Sequence, residues 1–192
     1  MFNSLLDRIR TSSLGWRGQL FIYWLKDNGG FLAMVALPVV ALGLILHFAY
    51  ADHVRIGVAR QREIDLRCLA ENIYFEARGE PTAGQFAVAE VTLNRVASRY
   101  FPDTICEVVH DIRWDPRRRR FTAHFSWTEL KFRFGPRGEA WQQAMSVATA
   151  VYDGAYTPQV PRALFYHSTS VNPYWAKTKK RVATIGNHVF YR

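Results

Sequence analysis

Hydrophobic and polar positions alternate very differently in successive parts of this chain. Between Phe31 and Tyr50 the sequence reads FLAMVALPVVALGLILHFAY, without a charged side chain, and about 20 apolar residues in a helix are what the hydrocarbon core of a bilayer requires. The run predicts a transmembrane helix over residues 31–50. Pro38 near its middle is compatible with lipid, where neighbouring groups re-satisfy the carbonyl that a proline frees. A buried core helix of a soluble protein and a cleaved secretory signal are the two alternatives. The signal fits less well, because its apolar core runs to only about 7–15 residues near the N-terminus, whereas this run starts at residue 31. Residues 1–30 contain two short amphipathic pieces with Gly29-Gly30 as a break, and are expected to form a cytoplasmic tail. Residues 51–64 are polar and charged, and read as a juxtamembrane linker or a helical continuation. Arg8, Arg10, Arg17 and Lys26 precede the apolar run while Arg55, Arg60, Arg62 and Arg67 follow it, so flanking charge leaves the orientation open.

From residue 65 to residue 192 the pattern becomes that of one folded domain, of ordinary size at roughly 100–150 residues. Leu66, Leu69, Ala70, Ile73 and Ala77 recur at helical spacing and predict an amphipathic helix ending near Arg78-Gly79, with Pro81 just beyond. A second helix fits Ala83 to Arg99, with Phe86, Ala89, Leu93, Val96 and Ala97 as its apolar stripe. Asp103 or Thr104 is placed to cap a short helix carrying Ile105, Val108 and Val109, after which Arg117 to Arg120 reads as a loop. Trp141, Ala144, Met145, Ala148 and Tyr152 mark a further helix closed by Gly154. Ala163 to Tyr166 and His188 to Tyr191 are short apolar and aromatic runs that read as strands able to pair. Helices first and strands later predict an α+β domain, mainly helical with a small antiparallel β element.

Composition changes this picture in three respects. Hydrophobic residues make up 49% of the chain, enough to build a core and to exclude a disordered tail. Lys and Arg number 25 against 16 Asp and Glu, a formal charge of +9, which favours polyanionic partners without choosing among nucleic acid, acidic lipid and wall polymer. Two cysteines, Cys68 and Cys106, exclude a four-thiolate zinc site.

One carboxyl stands out. Glu76 follows Leu69 by seven residues and Ile73 by three, so on a helix it borders the apolar stripe. Partial desolvation there raises a carboxyl's pKa toward the range useful for a general acid, and glycosidic cleavage needs such a donor because the leaving sugar oxygen is a poor anion. The plainer alternative is a solvated glutamate, or one paired with Arg78. Glu80, held between Gly79 and Pro81, is a second candidate carboxylate or simply a turn residue.

The run Asn72-Ile73-Tyr74-Phe75-Glu76-Ala77-Arg78-Gly79-Glu80-Pro81, then Gly84-Gln85, Ala87-Val88-Ala89 and Leu93-Asn94-Arg95-Val96, resembles the SleB/CwlJ-type cell-wall hydrolases. Phe101 to Thr104, Phe125-Ser126-Trp127-Thr128, Tyr166-His167, Pro173 to Ala176 and Ile185 to Phe190 extend the resemblance over residues 65–192. It implies a lysozyme-like lobe that cleaves the MurNAc-GlcNAc bond of peptidoglycan. The first glutamate of the family's Glu-Ala-Arg-Gly-Glu motif, here Glu76, is then the general acid/base, and lytic transglycosylation is preferred over hydrolysis. Glu80, Ser126, Trp127, Tyr166, His167, Trp175 and His188 are the implied glycan-binding residues, with core packing as the alternative for each aromatic. No cofactor or metal is expected. The resemblance also implies a domain outside the cytoplasm, periplasmic and held to the inner membrane by residues 31–50, where Cys68 and Cys106 are expected to pair.

Two departures from the family pattern concern the groove loops. Relatives commonly carry Asp-Gly after the Ser-Trp-Thr run and a Gly pair before the Tyr-His run, whereas this chain has Glu129-Leu130 and a stretch from Pro158 to Pro161. A hydrolytic muramidase, a zinc amidase and a non-catalytic module binding wall or nucleic acid are the competing readings. The amidase needs a closed set of His and acidic ligands that the sequence does not display, and nucleic acid is not the expected partner.

Overall fold

The computed structural model describes residues 13–116, 119–130 and 135–192. The chain divides into two compact units, Met1–Gly57 and Val58–Arg192.

In the first unit the described residues are helical throughout. They belong to α1, which runs from Ser13 to Ala77. Gly29-Gly30 does not break it, contrary to the sequence reading: both glycines are helical, because a glycine weakens a helix by only about 1 kcal/mol. The expected tail is therefore helical from Ser13 onward, and its first twelve residues lie outside the described part. Every side chain from residue 33 to residue 50 is exposed, Met34 and Leu37 by 76% and 68%. The core helix of a soluble protein shows the opposite, since apolar side chains gain about 1.5–3 kcal/mol each by leaving water. The helix is long and apolar enough to cross a bilayer. Residues 51–64 are helical too.

The second unit is mostly helical with two small antiparallel sheets, the α+β arrangement that the order of patterns predicts. After the last turns of α1 come α2 (Thr82–Val96) and α3 (Ile105–Val109), where the Thr104 hydroxyl accepts from the Glu107 N–H as an N-cap. Strands β1 (Ile112–Asp115) and β2 (Arg120–Ala123) form a hairpin, pairing Trp114 with Phe121. The arginine-rich stretch, read from sequence as a loop, thus lies between and partly within two strands, with Arg117 and Arg118 outside the described residues. A 3-10 turn at Ser126–Glu129 leads to α4 (Gly138–Tyr152), and Gly154 beyond it takes φ +71, the left-handed stop that glycine supplies. Strands β3 (Phe165–Ser168), β4 (Arg181–Ile185) and β5 (His188–Tyr191) make the second sheet in the order β3-β5-β4. β5 is central and all four of its residues are buried. β4 had no strand prediction, and β3 begins two residues later than the apolar run suggests.

The α1 stripe of Leu66, Leu69, Ala70, Ile73 and Ala77 is buried as its spacing predicts. α2 differs: Phe86, Leu93 and Val96 are only half-buried and Ala97 is exposed, while Ala87, Val88, Val91 and Thr92 are fully enclosed. Small side chains let α2 be covered on two sides at once. Ala89 joins the core of α1, α3 and α4, and Ala87, Val88 and Val91 pack against Ala77, Val160, Ala163 and Phe190 of the sheet side. α2 also grips the chain between α4 and β3. Glu90 accepts the N–H groups of Gln159 and Val160 at 2.6 and 3.0 Å, Asn94 donates to the carbonyls of Val160 and Ala163, and Arg95 donates to that of Leu164. Cys68 and Cys106 are joined as a disulfide with Cα atoms 5.3 Å apart, tying α1 to α3.

Candidate active site

Glu76 sits in the last turn of α1, half-buried, where its backbone follows from the helical stripe and its side chain reaches the sheet. The Tyr166 hydroxyl, on β3, donates to its Oε2 at 3.0 Å. Burial raises the Glu76 carboxyl above its ordinary pKa, and the hydrogen bond from Tyr166 and the nearby positive charge of Arg95 oppose this rise without cancelling it. Burial and the neighbouring carboxylate push the Tyr166 phenol well up, so its hydroxyl stays a proton donor. With Oε2 taken by Tyr166, Oε1 is the oxygen left to carry a proton.

Beside Tyr166 opens a cavity of about 380 Å³, lined by Arg95, His124, Phe165, Tyr166, Trp175 and Lys179. A second depression of about 390 Å³ shares His124 with it and is bordered by Trp114 and Tyr174. Burial, with Arg95 adding to it, pushes His124 down to about 4, so this imidazole is neutral at ordinary pH. Such a ring offers one donor and one acceptor to a hydroxyl-rich ligand. Arg95, His124, Phe165 and Lys179 carry no site expectation from the sequence. Arg95 carried the one available signal, a cation inside a helix of small apolar residues; the other three are brought to the cavity only by tertiary folding.

Of the residues expected at the site, Tyr166 touches Glu76 and Trp175 lines the cavity. His167 stands behind Trp175, their rings 5.6 Å apart. Its Nδ1 faces the Ser168 carbonyl and its Nε2 the Tyr191 hydroxyl, both at 2.9 Å. A carbonyl only accepts, so Nδ1 carries the hydrogen and both ring nitrogens are engaged inside the protein. Trp127 packs in the core, the alternative held open for each aromatic: it is 9% exposed, stacks on Phe75 at 4.5 Å, and donates its indole N–H to Asn72. Asn72 in turn donates to Thr92 of α2. Ser126 is exposed at the start of the 3-10 turn.

Glu80 is engaged within the fold. Its Oε2 accepts the Asn187 N–H at 2.8 Å and its Oε1 the Asn187 side-chain amide at 3.1 Å, so both oxygens clasp the β4–β5 turn. Gly186 in that turn has φ +55, and a Cβ there would overlap Glu80, which leaves glycine as the residue that fits. His188 is buried against the Tyr166 ring, 5.3 Å between centroids. Its Nδ1 lies 3.8 Å from Glu80 and, among the described residues, has no hydrogen bond. Burial lowers its pKa despite the pull of Glu80. Among the described residues no group of three His, Cys, Asp or Glu stands close enough to hold a metal ion.

A helix-borne, sheltered carboxyl hydrogen-bonded to Tyr166, which itself lines an aromatic and cationic cavity, is an arrangement capable of acid/base work. Comparison with known proteins narrows the reading. The model of the cell wall hydrolase family matches residues 79–191, and the chain belongs to that family. The match begins just after Glu76. A spore cortex-lytic enzyme of Oceanobacillus iheyensis is 33% identical over 129 residues, 66% of this chain and 41% of that protein. That of Bacillus subtilis is 29% identical over 129 residues, 66% of this chain and 37% of that protein. The chain thus spans about two fifths of the length of these curated relatives. Among solved structures, the catalytic domain of the germination-specific lytic transglycosylase SleB from Bacillus anthracis aligns with a TM-score of 0.51 at 29% identity, covering 67% of this chain and 93% of that one.

Proposed function

We propose that this protein cleaves the glycan strands of peptidoglycan as a lytic transglycosylase, with Glu76 as the single acid/base group. The observation that carries the reading is the sheltered Glu76 carboxyl, raised by burial and held by Tyr166 beside a sugar-sized cavity. Family membership and the solved SleB domain support the substrate class. Oε1 of protonated Glu76 gives its proton to the glycosidic oxygen as the bond from C1 of the muramoyl sugar breaks. The C6 hydroxyl of that same sugar then attacks C1 and returns its proton to Glu76, forming a 1,6-anhydro ring. No water enters, and one carboxyl serves both steps, which agrees with Glu80 being occupied elsewhere. Neutral His124 and the rings of Trp175 and Phe165 are suited to hold the sugar's hydroxyls and faces.

The same reading holds residues 31–50 to be a membrane span and the Val58–Arg192 unit to lie outside the cytoplasm, on the inner membrane. The wholly exposed apolar helix surface and the Cys68–Cys106 bond support it. Resistance of the protein to alkaline extraction from membranes, with protease access to the C-terminal unit only after the outer envelope is opened, is the expected result; a soluble protein after that extraction refutes the anchor.

The decisive experiment is digestion of purified sacculi followed by mass spectrometry of the released muropeptides. Anhydro ends, lighter by one water than reducing ends, are expected from the wild-type protein and absent with Glu76→Gln. Reducing ends would reassign the reaction to hydrolysis, and release of intact peptide stems blocked by a chelator would reassign it to a zinc amidase.

A further inference from the structure

The cavity beside Tyr166 is cationic in a way that neutral sugar hydroxyls do not require. Arg95 is 5% exposed and makes one hydrogen bond, from Nε to the Leu164 carbonyl at 2.8 Å. Its Nη1 is buried with no hydrogen-bond partner among the described residues. The guanidinium lies 5.1 and 4.9 Å from the ring centroids of Phe101 and Phe125, so it is held in an aromatic cradle with no carboxylate hydrogen-bonded to it. A buried guanidinium donor left without a partner is costly, more so than a neutral one. Lys179, also in the lining, brings its ammonium to 3.8 Å from the Phe165 ring centroid. The remaining lining is neutral, namely His124, Phe165, Trp175 and Tyr166. Two cations line one cavity with no acidic residue among the described residues of its lining; Glu76 and Asp111 act on Arg95 only through space, while Asp111 is hydrogen-bonded to Arg113 at 2.8 Å and Glu76 to Tyr166.

We propose that the cavity between Arg95 and Lys179 is a carboxylate subsite, which takes an acidic group of the muramoyl side of the strand and so sets the sugar's orientation against Glu76. This rests on the glycan-cleaving reading above and names the substrate feature that the site selects. The carboxylate has two sources in peptidoglycan chemistry: the lactyl group of a muramoyl residue whose peptide stem has been removed, and the acidic residues of the stem itself. Either places an anion beside Lys179 and the Arg95 guanidinium, whose Nη1 has no partner among the described residues, where charge-assisted hydrogen bonds are stronger than those to hydroxyls. The aromatic walls keep competing water away and hold the sugar face.

The test uses the full-length protein in detergent and three substrates: sacculi with stems, glycan strands freed of stems by an amidase, and each of these after its carboxyls have been converted to amides. Lys179→Met is expected to raise KM about tenfold on strands that keep the carboxylate, with kcat little changed, and Lys179→Glu to raise it further. On the amidated strands the same substitutions are expected to have a much smaller effect, and the ratio of the two effects is the readout. A ratio seen on stem-free strands assigns the lactyl carboxylate, and one seen only with stems present assigns a stem carboxylate. Equal effects of Lys179→Met on native and amidated strands would overturn the subsite while leaving the cleavage reaction in place. A wild-type protein inert on every strand removes the cleavage reading itself, and the subsite with it.

Discussion

Two glutamates four residues apart end up in opposite circumstances. Glu76, in the last turn of α1, receives one hydrogen bond in a setting that disfavours its charge. Glu80, in the loop that follows, has both oxygens engaged by Asn187 and closes the β4–β5 turn over Gly186. The first carboxyl is uncomfortable and available; the second is satisfied and unavailable. Folding alone would select against the first arrangement, since a charge half-removed from water with a single partner costs free energy that a glutamine would not. The pair therefore teaches where to look: the carboxyl whose placement the fold does not need is the one to expect in chemistry.

The sharpest way to break this comparison is Glu76→Gln. Loss of the proton donor is expected to lower the rate of strand cleavage by about 10²–10⁴-fold, read as muropeptide release. Stability should move the other way. Because the folded-state pKa of Glu76 is raised, its contribution is fully present below the ordinary glutamate value, about 4.3, and is lost as pH rises through the raised value. At neutral pH the glutamine variant should thus melt no lower than the wild type, and a lower melting temperature counts against the argument.

Next in size is the Cys68–Cys106 bond, which fixes α1 ahead of both glutamates. Replacing both cysteines by serine opens a crosslink of sequence separation 38 and should cost about 2–4 kcal/mol in denaturant unfolding. Glu80→Ala comes below it, at roughly 1–3 kcal/mol from the lost bonds to Asn187. It should weaken the fold more than Glu76→Gln does, and leave far more activity per folded molecule. Equal loss of activity in the two variants would erase the distinction between them.

The smallest effect expected is that of Tyr166→Phe, which removes the hydrogen bond that lowers the Glu76 pKa. The carboxyl then holds its proton to higher pH, so the basic limb of the pH-rate profile should shift upward while the rate at its plateau falls by up to about tenfold. A downward shift of that limb would mean that Tyr166 does not act on Glu76 as the geometry suggests.

Much of the helical frame was legible in the sequence because the α1 stripe, the Thr104 cap and the Gly154 stop each encode their structure locally. β3 and β5 were readable as aromatic runs between turns. β4 was not, since Arg181-Val182-Ala183-Thr184-Ile185 has too few large apolar residues to announce a strand, and it becomes one by pairing with buried β5. The hairpin was hidden by its arginines, whose charge suggested a loop although Trp114 and Phe121 face each other across two strands. The stripe assigned to α2 failed for another reason: a helix covered on two sides buries its small residues, and the large ones that dominate a periodicity are left at the margin. Glu76 is singled out in the sequence by its motif and its place beside the α1 stripe. The cavity is not, because residues 95, 124 and 179 are collected from three separate segments. Trp127 shows the converse limit, since a ring committed to Asn72 and one open to a ligand are spelled alike.

The grip of α2 on the stretch before β3 has a consequence for how such a protein changes over time. Glu90, Asn94 and Arg95 hold residues 159 to 164 by their peptide groups, not by their side chains. Side-chain identity along that stretch is therefore less tied to its position than in the core, apart from Val160 and Ala163, which pack inward, and Arg162, whose backbone is left-handed. Of the remaining residues Pro161 is exposed and bonded to nothing by its side chain, whereas Gln159 donates to the Thr157 carbonyl and Arg162 holds φ +63, where a β-branched replacement would be strained, so a peptide-held path tolerates change unevenly along its length.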